Sequence, residues 1–182
     1  MHPYEHEGYY PGRMSSKKNK PAGTPALLAL TKAGVEFTIL EYEQSLHHEH
    51  GFALDSAAEL GMDPRVIFKT LLAQVDGKPV CAVVPAAAML NLKSLAKAAG
   101  GKKAAMMDPH DAEKLTGYVT GGISPLGQKH RSPIFIDASA RELPAMVVSG
   151  GKRGLSVRLA PADLAAAARA EFAPVADFSR HI

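Results

Sequence analysis

The sequence predicts an α+β fold: a single domain built on a mixed sheet or distorted barrel, with helices around it. Three observations predict it. Short β-rich runs at 66–75, 79–84, 134–136, 146–148 and 155–159 alternate irregularly with helical stretches. Hairpin turns as well as long crossovers join them, unlike the regular crossovers of a doubly wound nucleotide fold. The chain has 182 residues, 46% of them apolar and 21% charged, enough to bury a full core as one domain with an appendage.

Taken in order, residues 1–23 stand apart. They mix His2, His6, Tyr4, Tyr9 and Tyr10 with Pro3, Pro11 and Pro21 and show no apolar period. A disordered arm is expected there, with Met14 an alternative start. Lys17, Lys18 and Lys20 make its end basic, as a solvated tail or a contact for a phosphate backbone. The fold begins at Thr24, which can cap a helix; Pro25 suits the first helical position and Gly34 the end. Residues 35–42 alternate as a half-buried strand. Residues 45–51 form a loop carrying His47, His48 and His50, and a short helix over 52–60 stops at Gly61. The strand at 66–75 turns at Asp76-Gly77 into the next.

Asn91 caps a helix over 92–99, where Leu92, Leu95, Ala96 and Ala99 share one face. Burying its two leucines contributes about 1.5–3 kcal/mol each. Gly100-Gly101 ends it, 104–107 is a short strand, and Asp108-Pro109 opens a helix to Leu115. Pro161 starts a final alanine-rich helix expected to fade near Glu171. The domain is expected over 24–173, with 174–182 as a C-terminal tail.

Charge and cysteine content narrow the function classes. A net charge of +3 and a pI of about 9.0 give a mild bias toward polyanions, too weak alone to argue nucleic-acid binding. The single cysteine, Cys81, excludes an internal disulfide and reads as a buried structural thiol. No apolar run approaches the roughly 20 residues of a membrane span, and the start lacks a signal-peptide core. A soluble cytoplasmic protein with no membrane partner is expected.

Four features bear on chemistry. Residues 116–129 hold four of the sixteen glycines with Tyr118, Ser124 and Pro125. The stretch is an ordinary surface loop, or one whose backbone closely approaches a ligand. Lys69 shares an apolar strand face with Ile67 and Leu71, so it either snorkels from an edge strand or points into a polar cavity. Ser149-Gly150-Gly151-Lys152-Arg153-Gly154 is a second glycine-rich turn, without the ending and following helix of a P-loop. His47-His48-Glu49-His50 lacks the spacing of a zinc helix. No enzyme nucleophile or carboxylate pair stands out.

These residues carry a resemblance. Thr24-Pro25-Ala26, Phe68-Lys69-Thr70-Leu71, Thr116-Gly117-Tyr118, Gly121-Gly122-Ile123-Ser124-Pro125-Leu126-Gly127 and Val148-Ser149-Gly150-Gly151-Lys152-Arg153-Gly154-Leu155 together resemble the YbaK-type aminoacyl-tRNA deacylases. These are the Cys-tRNA(Pro) and Cys-tRNA(Cys) editing proteins, related to the editing insertion of bacterial prolyl-tRNA synthetases. The segments stand in the family's order from about Thr24 to Phe172. The resemblance implies a partly barrel-like fold and trans-editing of mischarged tRNA(Pro), with tRNA(Cys) as a further substrate. It implies neither metal nor cofactor, and prolyl-tRNA synthetase is a candidate partner. Lys69 matches the family's essential lysine; Gly121 and Pro125 match its Gly-x-x-x-Pro loop, with Gly122 beside Gly121. Tyr42, Phe52, Tyr118 and Ser149 fall where the family lines its pocket. Lys152, Arg153, Lys129 and Arg131, with His130, are candidates for the acceptor stem. One position departs: Ser156 stands where a member of the family has aspartate, which bears on amino-acid preference.

The absent nucleophile fits what the resemblance implies, namely cleavage by the substrate cysteine's own thiol. Two other readings stay open: a deacylase that activates water against Ala-tRNA(Pro), and a non-catalytic module that docks on tRNA or a synthetase.

Overall fold

Local capping sets the first helix. The computed structural model describes residues 13–15, 23–43 and 52–179. Helix α1 (Pro25–Ala33) begins where the Thr24 hydroxyl accepts the Leu27 amide at 3.2 Å, and ends at Gly34 with φ 70°. Before it lies β1 (Arg13–Ser15) and after it β2 (Thr38–Glu41), paired antiparallel with Met14 opposite Leu40. Three residues of the stretch expected as a disordered arm therefore join a sheet. The rest of that arm through residue 22, and the histidine loop at 45–51, lie outside the described residues.

Helix α2 (Phe52–Leu60) leads to the long hairpin of β3 (Phe68–Val75) and β4 (Lys78–Pro85). Its turn has positive φ at both Asp76 (50°) and Gly77 (81°), the geometry that matches strand twist. Then follow β5 (Met89–Leu90), α3 (Leu92–Ala98), β6 (Ala104–Met106) and α4 (Pro109–Thr116). The Asn91 side chain caps α3 and the Asp108 side chain caps α4. After the glycine-rich stretch come β7 (Ile134–Asp137), a 3-10 turn (Ala138–Glu142), β8 (Met146–Lys152) and β9 (Leu155–Leu159). Helix α5 (Pro161–Ala168), β10 (Glu171–Ala173) and β11 (Ala176–Asp177) complete the chain.

Two larger sheets result, in the orders β1-β2-β9-β8 and β10-β7-β4-β3-β6, and a small β11-β5 pair. The second sheet is mixed, with β4 antiparallel to β3 and parallel to β7. A parallel bridge from Ile67 to Val147 joins the two larger sheets. The main core lies between them: Phe68, Leu72, Cys81, Val83 and Ile136 from one meet Ile39, Val148, Leu155 and Val157 from the other, with Leu27 and Leu30 of α1. Strand β4 is buried on both faces, so Val80, Ala82 and Val84 point the opposite way, into a second cluster with Leu95 and Ala96 of α3. Leu95 is fully buried, whereas Leu92 at the start of α3 is half-buried.

The last helix ends earlier than its alanine run suggests. Arg169 takes the left-handed conformation, φ 53°, and residues 171–173 then pair with β7 as a parallel strand. Beyond 173, where a tail was expected, β11 pairs with β5. The carboxylate of Asp137, 3% exposed, fastens this return by accepting the Val175 and Ala176 amides at 3.0 and 2.9 Å while also accepting from Ser139. Asp137→Ala is expected to lower stability by about 2–3 kcal/mol, since buried amides lose a charged acceptor. Chemical denaturation measures this, and an unchanged midpoint would show that the staple carries no weight.

Candidate active site

Strand β6 pairs with β3 only at Ala73 to Val75, so at Lys69 one edge of β3 has no strand beside it among the described residues. Successive side chains along a strand face opposite layers, but at an uncovered edge both sets can border one space. Here residues 68–72 all line one cavity of about 320 Å³. The other walls come from α2 (Phe52, Ala53, Leu54, Ser56), the end of β6 and the loop after it (Met106, Met107), the glycine-rich stretch (Thr120, Gly121, Ile123), and β8 and β9 (Ser149, Ser156), with Tyr42 beside them.

Lys69 is half-buried on this wall, opposite Val84 of β4. Burial holds its ammonium below the usual lysine value of 10.5, because desolvation penalises the charged form. Among the described residues no Asp, Glu, His or Cys lines the cavity. Among the described lining residues Lys69 is the one basic side chain, and the other polar groups are hydroxyls and main chain. The hydroxyls are partly tied together: Tyr42 Oη is 2.7 Å from Ser56 Oγ and 3.4 Å from Ser156 Oγ, and Ser56 donates to the Phe52 carbonyl at 2.7 Å. Ser156 thus gives this wall a neutral hydroxyl.

The glycine-rich stretch is tied down by hydrogen bonds. Glu113 accepts the Thr120 amide at 2.7 Å, Thr116 donates to the Ala112 carbonyl at 2.8 Å, and Gln128 donates to the Ser124 carbonyl at 3.0 Å. Gly121 has φ 86°, and a Cβ there would lie 2.6 Å from the Phe52 ring. A Cβ on Gly122 would lie 2.8 Å from Cα of Lys152. Two loops and the start of α2 thus meet without room for side chains, which is why glycine stands at both positions.

The expected site residues separate into three groups. Lys69, Gly121, Ser149, Tyr42 and Phe52 line the cavity. Gly122, Pro125 and Tyr118 lie behind its wall: all three are buried, and the Tyr118 hydroxyl donates to the Leu126 carbonyl at 2.7 Å. Burial pushes the Tyr118 phenol up to about 12. Lys152, Lys129, His130 and Arg131 are exposed outside it. Arg153, also exposed, is engaged at once with the Phe52 ring, 5.1 Å from its centroid, and with the Thr120 carbonyl, to which Nε donates at 2.9 Å.

Sequence reasoning passed over Ser56, Thr70, Met106 and Met107 as wall residues. Thr24 was read as a cap alone, yet its hydroxyl also donates to the Gly150 carbonyl at 2.7 Å, tying α1 to the basic turn. Cys81 is fully buried away from the cavity, its thiol pushed up to about 12 by desolvation, so it is not a nucleophile. No group of three or more His, Cys, Asp or Glu side chains that could hold a metal ion forms among the described residues. Among them, too, no helix is long and apolar enough to cross a membrane.

Among the described residues the cavity thus holds Lys69, hydroxyls and main chain, with no carboxylate, imidazole or thiol on its walls. The family described as an aminoacyl-tRNA editing domain matches residues 48–167. The chain belongs to this family. Among related editing proteins, EbsC of Enterococcus faecalis, named as a candidate Cys-tRNA(Pro)/Cys-tRNA(Cys) deacylase, is 38% identical over 88% of this chain and 97% of its own length. YwhH of Bacillus subtilis is 29% identical over 71% of this chain and 80% of its own length. The crystal structure of a candidate trans-editing enzyme for prolyl-tRNA synthetase superposes with a TM-score of 0.72. At 21% identity it covers 88% of this chain and 99% of that one. That likeness establishes the shared editing-domain fold: an α+β domain in which, among the described residues, five α-helices surround an antiparallel and a mixed sheet.

Proposed function

We propose that the protein is a trans-acting deacylase that clears cysteine from Cys-tRNA(Pro), and from Cys-tRNA(Cys), by substrate-assisted cleavage. The observation that carries this reading is the cavity in which Lys69 is the one basic side chain while the described walls offer no carboxylate, imidazole or thiol. The relationship to EbsC supports the choice of aminoacyl group.

The chemistry needs little from the protein beyond placement. The substrate thiol loses its proton and its sulfur attacks the ester carbonyl carbon. A C–S bond forms, the C–O bond to the terminal ribose breaks, and the ribose oxygen takes up a proton. The products are cysteine thiolactone and free tRNA. A free thiol with a pKa of about 8.5 is a few per cent thiolate at neutral pH and already strongly nucleophilic. The enzyme supplies a near-attack geometry, and Lys69 stabilises the oxyanion that develops at the carbonyl. Gly121 offers main-chain contact to the aminoacyl end, with Phe52, Tyr42 and Ser149 beside it. Gly122, Pro125 and Tyr118 hold that wall from behind. The exposed Lys152, Lys129 and Arg131 face the acceptor stem, in a cytoplasmic setting and with prolyl-tRNA synthetase as the partner that supplies mischarged tRNA.

Chemical selection exceeds what shape alone gives, since a pocket separates side chains differing by one small group by about 1–3 kcal/mol. A panel of Cys-, Ala- and Pro-tRNA(Pro) with Cys-tRNA(Cys) tests the reading. Release confined to the cysteinyl esters is expected. Preferential release from Ala-tRNA(Pro) would point to activated water instead, and salt-sensitive binding without any release would point to a docking module.

The rate is expected to depend on pH in a bell. It rises through about 8.5 as the substrate thiol ionises and falls at a pH below 10.5, because the lowered Lys69 value brings its deprotonation down. Single-turnover rates across this range check it; a plateau persisting above 10.5 would exclude a protonated Lys69 from the reaction.

A further inference from the structure

We propose that Arg153 is a positioning residue, a strut that holds the Phe52 ring against the Gly121 backbone and so fixes the aminoacyl end of the cavity. The proposal deepens the deacylase reading and rests on it. Phe52, Thr120 and Gly121 all line the cavity, whereas Arg153 does not. Yet Arg153 contacts two of them from outside. Its guanidinium lies over the Phe52 ring, with Cζ 5.1 Å from the centroid, and Nε donates to the Thr120 carbonyl at 2.9 Å. The ring in turn occupies the space where a Gly121 side chain would be, within 2.6 Å of its Cβ position.

Both ends of the strut are anchored. Thr120 is held through its amide by Glu113. The basic turn is held by the Thr24 hydroxyl on Gly150 and by the Ser149 hydroxyl, which accepts the Gly151 amide. The Gly122 backbone lies against Lys152 and Arg153, where a Cβ would come within 3.0 Å of the Arg153 amide. Only a planar guanidinium presents a face to a ring and a fixed in-plane donor to a carbonyl at the same time. A lysine keeps the charge and loses that combination. Arg153, a basic residue in a basic turn, thereby serves the pocket rather than the phosphate backbone.

Substitution with charge kept separates the two roles. Arg153→Lys and Arg153→Ala are expected to lower kcat for Cys-tRNA(Pro) alike, by about tenfold for the combined loss of the ring contact and the hydrogen bond, with KM and its salt dependence unchanged. In a Phe52→Leu background, adding Arg153→Lys is expected to lower kcat by clearly less than about tenfold, since the ring contact is already gone and only the hydrogen bond to Thr120 remains to be lost. The proposal is overturned if Arg153→Lys behaves as wild type while Arg153→Ala raises KM and reduces the salt slope by about one, the signature of a lost phosphate contact. A spectroscopic readout stands apart from catalysis. In protein labelled with fluorophenylalanine, the Phe52 resonance, assigned by Phe52→Leu, is expected to shift in Arg153→Lys, and an unmoved line overturns the strut. If the wild type releases no amino acid from any charged tRNA, the deacylase reading falls while the resonance still decides the strut.

Discussion

Lys69→Met is expected to abolish release of cysteine from Cys-tRNA(Pro) and to raise thermal stability in the same protein. The activity loss should be about 100- to 1,000-fold in kcat, the effect of removing one preorganised donor from a developing oxyanion. The stability gain follows from linkage. Burial lowers the folded-state pKa of Lys69 below 10.5, so below that lowered value the folded protein carries a charge it disfavours relative to the unfolded chain. The destabilisation is fully present at neutral pH and is relieved as pH rises through the folded value toward the unfolded one. Methionine fills similar space without the charge, and the neighbours Ile67 and Leu71 are apolar. A melting temperature that rises at pH 7, with the gain shrinking toward pH 10.5, marks a residue kept for function at a cost in stability. Undiminished turnover, or a clear fall in melting temperature at pH 7, would contradict this role for Lys69.

Gly121→Ala is expected to lower kcat/KM by about 100-fold while the protein stays folded. The new Cβ would lie 2.6 Å from the Phe52 ring, so the ring must move by about 1 Å to reach ordinary contact. A displacement of that size at a reacting centre costs about 100-fold when the chemistry depends on placement. The positive φ of 86° adds about 1–2 kcal/mol of backbone strain for any side chain, which a domain of this size tolerates. Circular dichroism and a thermal melt separate the two consequences. Wild-type kinetics in Gly121→Ala would show that neither the ring nor the glycine backbone positions the substrate. The same ring is what Arg153 braces, so the two substitutions report on one wall.

What was legible in the sequence depended on how local its cause was. Thr24, Pro25 and Gly34 fix α1 through interactions within a few residues of each other, and Asp76-Gly77 fixes its hairpin by backbone conformation alone. Lys69 was legible as a functional candidate because a cation among β-branched and apolar neighbours conflicts with its surroundings. The end of α5 was not legible, since a run of alanines carries no stop signal and β10 exists only through its pairing with β7. Tyr118 falls where the family resemblance implies pocket lining; in the structure its hydroxyl goes to the Leu126 carbonyl and its ring to the core, behind the cavity wall. The place of β11 was hidden because the Val175 amide before it and its own Ala176 amide are held by Asp137 from another strand. For Ser156 the sequence showed the departure from a member of the family. That its hydroxyl sits beside Tyr42 at the cavity wall came from the pairing of β2 with β9, Leu40 opposite Ser156.

The claim that the substrate supplies the nucleophile is tested most directly by single-turnover release from Cys-tRNA(Pro) and Ala-tRNA(Pro) at saturating enzyme. Alanine fits any space that admits cysteine and lacks only the sulfur, so size cannot account for a difference. Release of cysteine at least about 100-fold faster than alanine is expected, with thiolactone as the first product. Equal rates for the two esters, or free cysteine formed with no thiolactone before it, would contradict substrate-assisted cleavage.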